Sequence, residues 1–526
     1  MTHALASLLL VAAGFAGQAE SPDVAVVAAP ALRGALAPWA EHRTRQGHRL
    51  AWIDTAGEVE VIRRRLQEVN RDGSLKYVVL VGDVPGSSKV SRAIGVPTTL
   101  AKAVVNVHWG SEPELATDHP YGDLDADGVP ELAVGRLSVD SPEELERLIA
   151  RILAYEQTAD DGPWRRRIEL VAGVGGFGAI ADTALEMVTR RFLTDRVPAS
   201  YETRMTYASW RSPYCPDPRA FRSEVINGIR GGSLFWVYIG HGSRRHLDAV
   251  NTPVGSFPIL HCDDAPQLTA GGTPPIAVFL ACYTGAFDLE DDCLAEMLME
   301  QPGGPIAAMS GSRVTMPYAM AVMTSGLMDE YFVGRSATLG EAMLGAKRAL
   351  LADPREDPQR ELVEVLARTV SPRPEEMPAE RKEHVLLFNL LGDPLLRLPQ
   401  PEPLELSAAA ECRAGEVLRI RLAGPVAGRG VVELVARRDQ SKNEVSGRSR
   451  FDATAERLAE YSEQHKLAND RTWARWAVEL GSEPLECEIE IPAEARGYCY
   501  LRAHVAGGEH GALGGREIFI RSRGAE

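Results

Sequence analysis

Between about residues 23 and 398, short apolar runs alternate with amphipathic stretches, and this alternation restricts the fold more than any other feature of the sequence. Short apolar runs bounded by turn residues are typical of buried strands in parallel sheets. Strands that alternate with amphipathic helices indicate an α/β domain with a mostly parallel sheet flanked by helices. The predicted strands are 24–28, 50–53, 77–81, 132–134, 168–172, 234–239, 276–281 and 306–309, and helices fit at 142–157, 180–191, 218–228 and 336–351.

Two of these runs end next to a histidine and a cysteine. His241 lies two residues after the run at 234–239, and Cys282 directly follows the run at 276–281. In an open α/β sheet, ligands bind in the crevice beyond the carboxyl ends of the strands. Neighbouring strands lie about 4.8 Å apart. We therefore expect the two side chains to meet at this edge of the sheet.

A histidine beside a cysteine is the chemistry of a nucleophile with its general base. A free thiol is mostly protonated at neutral pH, and an adjacent imidazole accepts its proton and later returns one to a leaving amine. The sequence predicts Cys282 as the nucleophile, His241 as the base, and the N–H groups of Gly242 and Cys282 as an oxyanion hole. A structural interpretation stays open for each residue alone, because cysteines are often buried and Gly-His-Gly can form a simple turn.

The length and net charge of the chain limit the number of domains and the kinds of binding partner that we expect. A chain of 526 residues is too long for one core and predicts about two to four domains. The net charge of -16 argues against a nucleic-acid partner, since phosphate backbones are bound by clustered Lys and Arg.

The first 19 residues resemble a secretory signal segment. The apolar stretch 6–13 is followed by small residues and Gly17-Gln18-Ala19, which fits a cleavage site. The stretch is too short to span a bilayer. We therefore predict a signal peptide at 1–19, a secreted or extracytoplasmic location (cell surface or periplasm) and no transmembrane segment. A buried N-terminal helix is the structural alternative.

Composition shifts divide the rest of the chain. The polar stretch around Gly162-Pro163 separates an N-terminal α/β subdomain, 20–157, from a catalytic α/β subdomain, 158–400. After the Pro-rich segment 399–403 the apolar pattern alternates residue by residue, which predicts a β-sandwich accessory domain at 401–526. The charged segment 437–476 interrupts that pattern and predicts a partly helical insertion.

The alternating acids and the glycine of a calcium loop occur between residues 123 and 131. The pattern departs from an EF-hand, because its twelfth position is Val134 rather than Glu. Oxygen ligands at this spacing suit Ca²⁺, while an acidic turn without metal is the alternative. The predicted ligands of a structural calcium ion are Asp123, Asp125, Asp127 and Glu131.

Several further blocks follow one another in a characteristic order. They are Leu80-Val81-Gly82-Asp83, Tyr121-x-Asp123, Val134-Gly135-Arg136-Leu137, Gly240-His241-Gly242-Ser243, Ala281-Cys282-x-x-Gly285-x-Phe287, Cys293-x-Ala295-Glu296 and Leu391-Gly392-Asp393-Pro394-Leu395. With these blocks, the sequence from about 77 to 398 resembles the gingipain family of cysteine peptidases, which have a caspase-like fold.

The resemblance implies a cysteine endopeptidase that hydrolyses a protein or peptide substrate through Cys282 and His241, with no cofactor for the chemistry. It also implies a caspase-like sheet in two subdomains and an immunoglobulin-like sandwich after about residue 401. Gingipains carry a carboxylate that orients the histidine in the loop after the strand matching 168–172. This chain has Gly173-Val174-Gly175-Gly176 there. Either a backbone carbonyl orients His241, as in caspases, or the site is weakened.

The resemblance also suggests residues that contact the substrate. Gingipains hold a basic P1 side chain with an acidic residue, and Asp182 is the nearest candidate in this sequence. Ser310, Gly311 and Arg313 lie where the family builds one wall of the P1 pocket. The positive charge of Arg313 would oppose a basic P1 residue if its side chain points inward.

Two alternative functions stay open from sequence alone. Some gingipain relatives are sorting transpeptidases or maturation peptidases that join or trim exported proteins. The missing orienting carboxylate favours a catalytically inactive surface-binding homologue, and the intact Cys282 and His241 disfavour it.

Overall fold

The computed structural model describes residues 21–86, 93–158, 162–174, 196–289, 291–507, 509 and 511–523. The predicted signal peptide, the predicted helix at 180–191 and Asp182 lie outside the described residues. Among the described residues, no helix is long and apolar enough to cross a membrane.

Strands dominate the order of elements along the chain. The described strands are β1 Val24–Ala28, β2 Leu50–Ile53, β3 Tyr77–Val81, β4 Thr99–Lys102, β5 Glu114–Thr117, β6 Ala133–Leu137, β7 Arg167–Ala172, β8 Glu202–Tyr207, β9 Phe235–Ile239, β10 Ala249–Thr252, β11 Gly255–Pro258, β12 Ile276–Leu280, β13 Ala307–Gly311, β14 Phe388–Leu391, β15 Glu402–Pro403, β16 Glu405–Ala408, β17 Glu411–Arg413, β18 Val417–Ala423, β19 Gly428–Ala436, β20 Thr472–Leu480, β21 Leu485–Glu490, β22 Gly497–Val505 and β23 Ala512–Arg521.

Nine of the described α-helices lie in the larger, N-terminal part of the chain, and the tenth lies in the C-terminal part. The described α-helices are α1 Arg33–Arg45, α2 Val59–Val69, α3 Pro142–Gln157, α4 Phe221–Arg230, α5 Leu294–Met299, α6 Pro317–Phe332, α7 Leu339–Leu351, α8 Pro358–Val370, α9 Met377–Leu387 and α10 Ala455–Asn469.

The N-terminal part folds around one ten-stranded sheet with the order β2-β1-β3-β6-β14-β13-β12-β9-β7-β8. Its described pairings are parallel except for the antiparallel pair of β13 and β14. Buried apolar clusters lie against it and include residues of helices α1 to α7 and α9. The predicted fold class, a mostly parallel sheet flanked by helices, is confirmed.

A single short strand joins the two predicted subdomains. The boundary predicted near residue 158 falls between α3 and β7. Strand β14 is the last strand of this sheet in the sequence, and it pairs with β6 on one side and with β13 on the other. The four N-terminal strands and the six later ones therefore form one continuous sheet.

Local sequence signals account for several of these elements. Helix α3 begins at Pro142 as predicted, because the Ser141 side chain accepts a hydrogen bond from the Glu144 N–H at the helix N-terminus. Strand β12 is buried along its whole length, which matches its continuous apolar run. Strand β8 was not predicted from the sequence. It is an edge strand in which only Thr203 and Thr206 are buried, so it lacks a continuous apolar run.

The C-terminal part forms the predicted pair of packed sheets. One sheet has the order β15-β23-β22-β19-β20 with β17 added beside β23, and the other has the order β16-β18-β21. Apolar residues from both sheets share one buried core. The predicted insertion at 437–476 contains α10, but its last residues belong to β20. An immunoglobulin-like relationship of this domain stays a prediction.

Helix α10 covers the outer edge of the large sheet. The Asn469 side chain accepts a hydrogen bond from the Met205 N–H at 2.9 Å and donates one to the Met205 carbonyl at 3.0 Å. Met205 lies in the edge strand β8. Since unpaired sheet edges invite aggregation, the C-terminal domain protects the edge of the domain that carries the candidate site.

Candidate active site

The register of two adjacent parallel strands places the predicted histidine and cysteine just beyond the ends of neighbouring strands. Strands β9 and β12 pair in register up to Ile239 opposite Leu280. His241 and Cys282 each lie two residues beyond that last pair, at the carboxyl edge of the sheet. The Gly240 N–H continues the contact by donating to the Leu280 carbonyl at 3.3 Å.

Gly242 lies directly against the backbone of the cysteine. A Cβ atom at this position would lie 2.7 Å from the Cys282 carbonyl oxygen and 2.9 Å from the Ala281 Cβ. Only a residue without a side chain permits this approach. We call residues 240–248 the histidine loop and residues 281–288 the nucleophile loop.

A third loop supplies partners for the cysteine sulfur. The Thr315 N–H donates to Cys282 Sγ at 3.3 Å, and the Thr315 hydroxyl oxygen lies 3.7 Å from the sulfur. Thr315 is buried between β13 and α6, in what we call the threonine loop, residues 312–316. No sequence motif identifies Thr315, and the signal nearest to it is the predicted strand at 306–309, which ends shortly before this loop.

The nucleophile loop is fixed to the end of β13. The Tyr283 N–H donates to the Arg313 carbonyl at 3.1 Å, and the Gly285 N–H donates to the Gly311 carbonyl at 3.0 Å. Tyr283 has a φ of 60°, a left-handed conformation that is strained for a residue with a side chain. The strain is compatible with a loop whose position is set by its neighbours.

A buried ion pair supports the nucleophile loop from below. The guanidinium of Arg136 lies 5.1 Å from the centre of the Phe287 ring. It makes two 2.7 Å hydrogen bonds to the Asp118 carboxylate, and Arg136 is fully buried. Arg136, which belongs to one of the sequence blocks similar to the gingipain family, therefore packs beneath the loop that carries the cysteine.

The histidine loop is more exposed. The His241 residue is solvent-exposed, and its carbonyl oxygen accepts a 2.7 Å hydrogen bond from the Tyr238 hydroxyl. Burial raises the pKa of Tyr238 well above its ordinary range, so the hydroxyl keeps its proton and can donate. Gly173 and Val174, where gingipains would carry the orienting carboxylate, provide no acid, and residues 175–195 lie outside the described part of the chain.

The predicted substrate contacts take different positions. The Ser310 side chain is buried and its hydroxyl oxygen lies 2.8 Å from the Thr284 hydroxyl oxygen, beneath the nucleophile loop. Gly311 is buried as well. The Arg313 guanidinium is buried and makes hydrogen bonds of 2.8 and 2.6 Å to Asp288, so its positive charge is paired with a carboxylate of the protein.

The four predicted calcium ligands do come together. Asp123, Asp125, Asp127 and Glu131 each offer an oxygen, and these oxygens all lie within 4.8 Å of one another. Asp123 is buried, and its Oδ1 has no hydrogen-bond partner among the described residues. Burial, together with the charges of Asp127 and Asp125, raises the pKa of Asp123. An oxygen-only set of this kind fits a hard cation such as Ca²⁺.

Comparison with known proteins places this geometry in a family. A model of peptidase family C25 matches residues 18–399. Gingipain R2 of Porphyromonas gingivalis is 26% identical over 273 residues, which cover 50% of this chain and 32% of that protein. Lys-gingipain of the same organism is 23% identical over 287 residues, which cover 52% of this chain and 14% of that protein. The chain therefore spans a minor part of the length of these relatives.

The structural comparison agrees with the sequence comparison. The crystal structure of the Arg-specific cysteine proteinase gingipain R (RGPB) superposes with a TM-score of 0.54 at 16% identity, and the match covers 95% of this chain and 98% of that chain. The complex of the pro- and mature domains of RgpB from Porphyromonas gingivalis gives a TM-score of 0.52 at 15% identity, covering 95% and 100%. The fold is thus the caspase-like peptidase fold of gingipain R. Since the family model spans nearly all of the large sheet and both loops at its carboxyl edge, the chain belongs to peptidase family C25.

Proposed function

We propose that this chain is a cysteine endopeptidase in which Cys282 is the nucleophile and His241 the general base. The observation that supports the proposal is the in-register pairing of β9 and β12, which ends two residues before His241 on one strand and two residues before Cys282 on the other. Membership of a peptidase family supports it independently.

The proposed reaction uses groups from the histidine and nucleophile loops. His241 accepts the thiol proton, and the Cys282 thiolate attacks the carbonyl carbon of the scissile peptide bond. The N–H groups of Gly242 and Cys282 stabilise the resulting oxyanion. The imidazolium of His241 then protonates the leaving amine, and water hydrolyses the thioester to regenerate the thiol.

Substitution of the nucleophile tests the proposal. We expect Cys282→Ala to abolish peptide hydrolysis while leaving thermal unfolding unchanged, because the residue is only half-buried. The matched control is Cys487→Ala, which removes another half-buried free thiol, in the C-terminal domain. Equal hydrolysis by wild type and Cys282→Ala would exclude Cys282 as the nucleophile.

We further propose protein or peptide substrates with a basic P1 residue, since the names of two relatives refer to Arg and Lys specificity. Asp182 is the proposed partner of the basic group. A peptide library that varies P1 tests this proposal, with Asp182→Asn expected to lose the preference for Arg or Lys. A preference for uncharged P1 residues in the wild type would contradict it.

We also propose that the acidic loop holds a structural Ca²⁺. A ligand that binds only the folded state at about 100 times its dissociation constant stabilises that state by about 2.7 kcal/mol. Chelation should therefore lower the melting temperature of the wild type. It should have a much smaller effect on Asp125→Asn, which loses one ligand charge. Equal melting of the wild type with and without chelator would contradict calcium binding.

Finally, we propose that the protein is exported, on the basis of the apolar stretch at 6–13. N-terminal sequencing of the protein recovered outside the cytoplasm should show a start near residue 20. Leu9→Arg, which breaks the apolar stretch, should retain the protein inside the cell.

A further inference from the structure

One carboxylate outside the proposed dyad contacts residues from all three loops of the site. Glu112 lies in the connection between β4 and β5, which pair with each other as a two-stranded hairpin separate from the large sheet. It accepts a 2.6 Å hydrogen bond from the Tyr283 hydroxyl and another of 2.6 Å from Arg244 Nη2. Its Oε2 also lies 3.7 Å from Arg313 Nε.

Each of these three partners is close in sequence to a residue of the site. Tyr283 directly follows Cys282, Arg244 is three residues after His241, and Arg313 is two residues before Thr315. The partners also contact each other, since the Arg244 guanidinium lies 5.6 Å from the centre of the Tyr283 ring. Glu112 is therefore a common attachment point for the histidine, nucleophile and threonine loops.

The carboxylate carries a charge in this arrangement. Burial raises the pKa of Glu112, but the Tyr283 hydroxyl and the charges of Arg313 and Arg244 outweigh burial and lower it below its usual range. Hydrogen bonds to an ionised acceptor are stronger than neutral ones. Tyr283 also holds the strained φ of 60°, so the hydrogen bond from its hydroxyl to Glu112 acts on the backbone that directly follows the nucleophile.

We propose that Glu112 is a positioning residue that fixes the three loops relative to one another and thereby sets the contact between His241 and Cys282. The inference rests on the proposed function, because it assigns Glu112 to the same dyad. Glu112 itself has no role in proton transfer or substrate binding in this proposal.

Two readouts test the proposal. The first is peptide hydrolysis, and the second is the rate at which iodoacetamide alkylates Cys282, measured by mass spectrometry of the peptide that contains it. We expect Glu112→Ala to lower kcat by about tenfold or more, with little change in KM. This factor corresponds to the free-energy contribution of one charge-assisted hydrogen bond. Alkylation of Cys282 should slow in parallel, because a displaced imidazole leaves more of the thiol protonated.

Conservative and control variants distinguish an effect on the position of the loops from a general loss of structure. Glu112→Gln keeps an acceptor for only one of the two close donors and should give an intermediate loss. Tyr283→Phe removes one oxygen atom and should reproduce much of the effect of Glu112→Ala. The double variant should be no slower than Glu112→Ala alone, since both changes remove the same contact. Glu114→Ala, an exposed acid nearby in β5, should behave as wild type.

The result that would overturn the proposal is an alkylation rate within about twofold of wild type in both Glu112→Ala and Tyr283→Phe, the range of an ordinary surface substitution. If Glu112→Ala fails to fold, Tyr283→Phe and Glu112→Gln decide by the same criterion. If wild type cleaves no peptide, the proposed function fails, while alkylation of Cys282 still reports whether Glu112 positions the loops.

Discussion

The two sides of the candidate site are built differently. The nucleophile side, made of the nucleophile and threonine loops, is largely buried, and Thr284, Ser310 and Thr315 have 5% or less of their surface exposed. On the histidine side, His241, Arg244 and the two residues that follow Arg244 are exposed. Two of the described hydrogen bonds that hold this side run from the buried Tyr238 hydroxyl to the His241 carbonyl and from the exposed Arg244 to Glu112.

This difference shows which forces set the position of each reacting group. Close packing and buried ion pairs fix the sulfur, so substitutions there should lower stability and activity together. The hydrogen bonds from Tyr238 to the His241 carbonyl and from Arg244 to Glu112 hold the histidine loop, so removing them should lower activity with a smaller loss of stability.

The largest expected effect comes from the ion pair beneath the nucleophile loop. Arg136→Met should lower the free energy of unfolding by about 3–5 kcal/mol, because it leaves the Asp118 carboxylate buried without its partner. The control is Arg244→Met on the histidine side, whose exposed pair with Glu112 should contribute about 1 kcal/mol or less. Urea denaturation of both variants measures the difference. Similar losses in the two variants would refute the distinction between the sides.

A buried histidine gives the nucleophile side a pH dependence. His384, in α9, accepts a 2.7 Å hydrogen bond from the Met316 N–H at Nε2, which leaves Nδ1 to donate to the Glu380 carbonyl. Burial lowers the pKa of His384 from 6.5 to about 4. Between these values the unfolded chain binds a proton that the folded chain does not. Stability should therefore fall as the pH falls through this range, by at most about 1.4 kcal/mol per pH unit.

Denaturation at pH 6.5 and pH 4.5 measures this slope, and His384→Gln should make it shallower. His465 in α10 is a matched control, since burial also lowers its pKa to about 4. His465→Gln should reduce the slope similarly but leave the alkylation rate of Cys282 unchanged, whereas His384→Gln should alter that rate through the threonine loop. An unchanged slope in His384→Gln would show that this histidine is not neutral in the folded protein.

The sequence was sufficient to predict features that depend on local pattern. The central strands follow from their apolar runs, α3 from Ser141 and Pro142, and the positions of His241 and Cys282 after two adjacent strands from the ends of those runs. These predictions work because burial on both faces of a parallel sheet leaves a continuous apolar signal.

Features that depend on contacts between distant segments could not be predicted. Thr315 faces the sulfur because β13 lies beside β12, and Glu112 reaches the loops from the separate β4–β5 hairpin. The burial of Arg313 requires Asp288 as its partner, 25 residues away, and no periodic pattern records that pair. Strand β14 has only four residues, so its apolar signal is too short to distinguish from the end of a helix.

Two glycines, one on each side of the candidate site, test whether the nucleophile side is the more rigid one. A Cβ at Gly285 would lie 2.6 Å from the Cβ of the buried Ser310, beneath the nucleophile loop. A Cβ at Gly242 would lie 2.7 Å from the Cys282 carbonyl oxygen. Gly285→Ala should cost about 1–3 kcal/mol of stability and also activity, because the buried loop cannot yield without strain. Gly242→Ala should lose activity with a smaller change in stability, because the exposed histidine loop can move away. The reverse order of stabilities would contradict our assignment of the rigid side.

The smallest expected effects come from single hydroxyl groups. Thr315→Val keeps the N–H that donates to Cys282 Sγ but removes the hydroxyl 3.7 Å from the sulfur. It should lower kcat by about threefold, the weight of one weak neutral hydrogen bond, and Thr315→Ser should restore it. Tyr238→Phe removes the hydroxyl that donates to the His241 carbonyl and should slow alkylation of Cys282 by a similar factor. A loss in Tyr238→Phe with none in Thr315→Val would mean that the backbone N–H of Thr315 alone stabilises the thiolate.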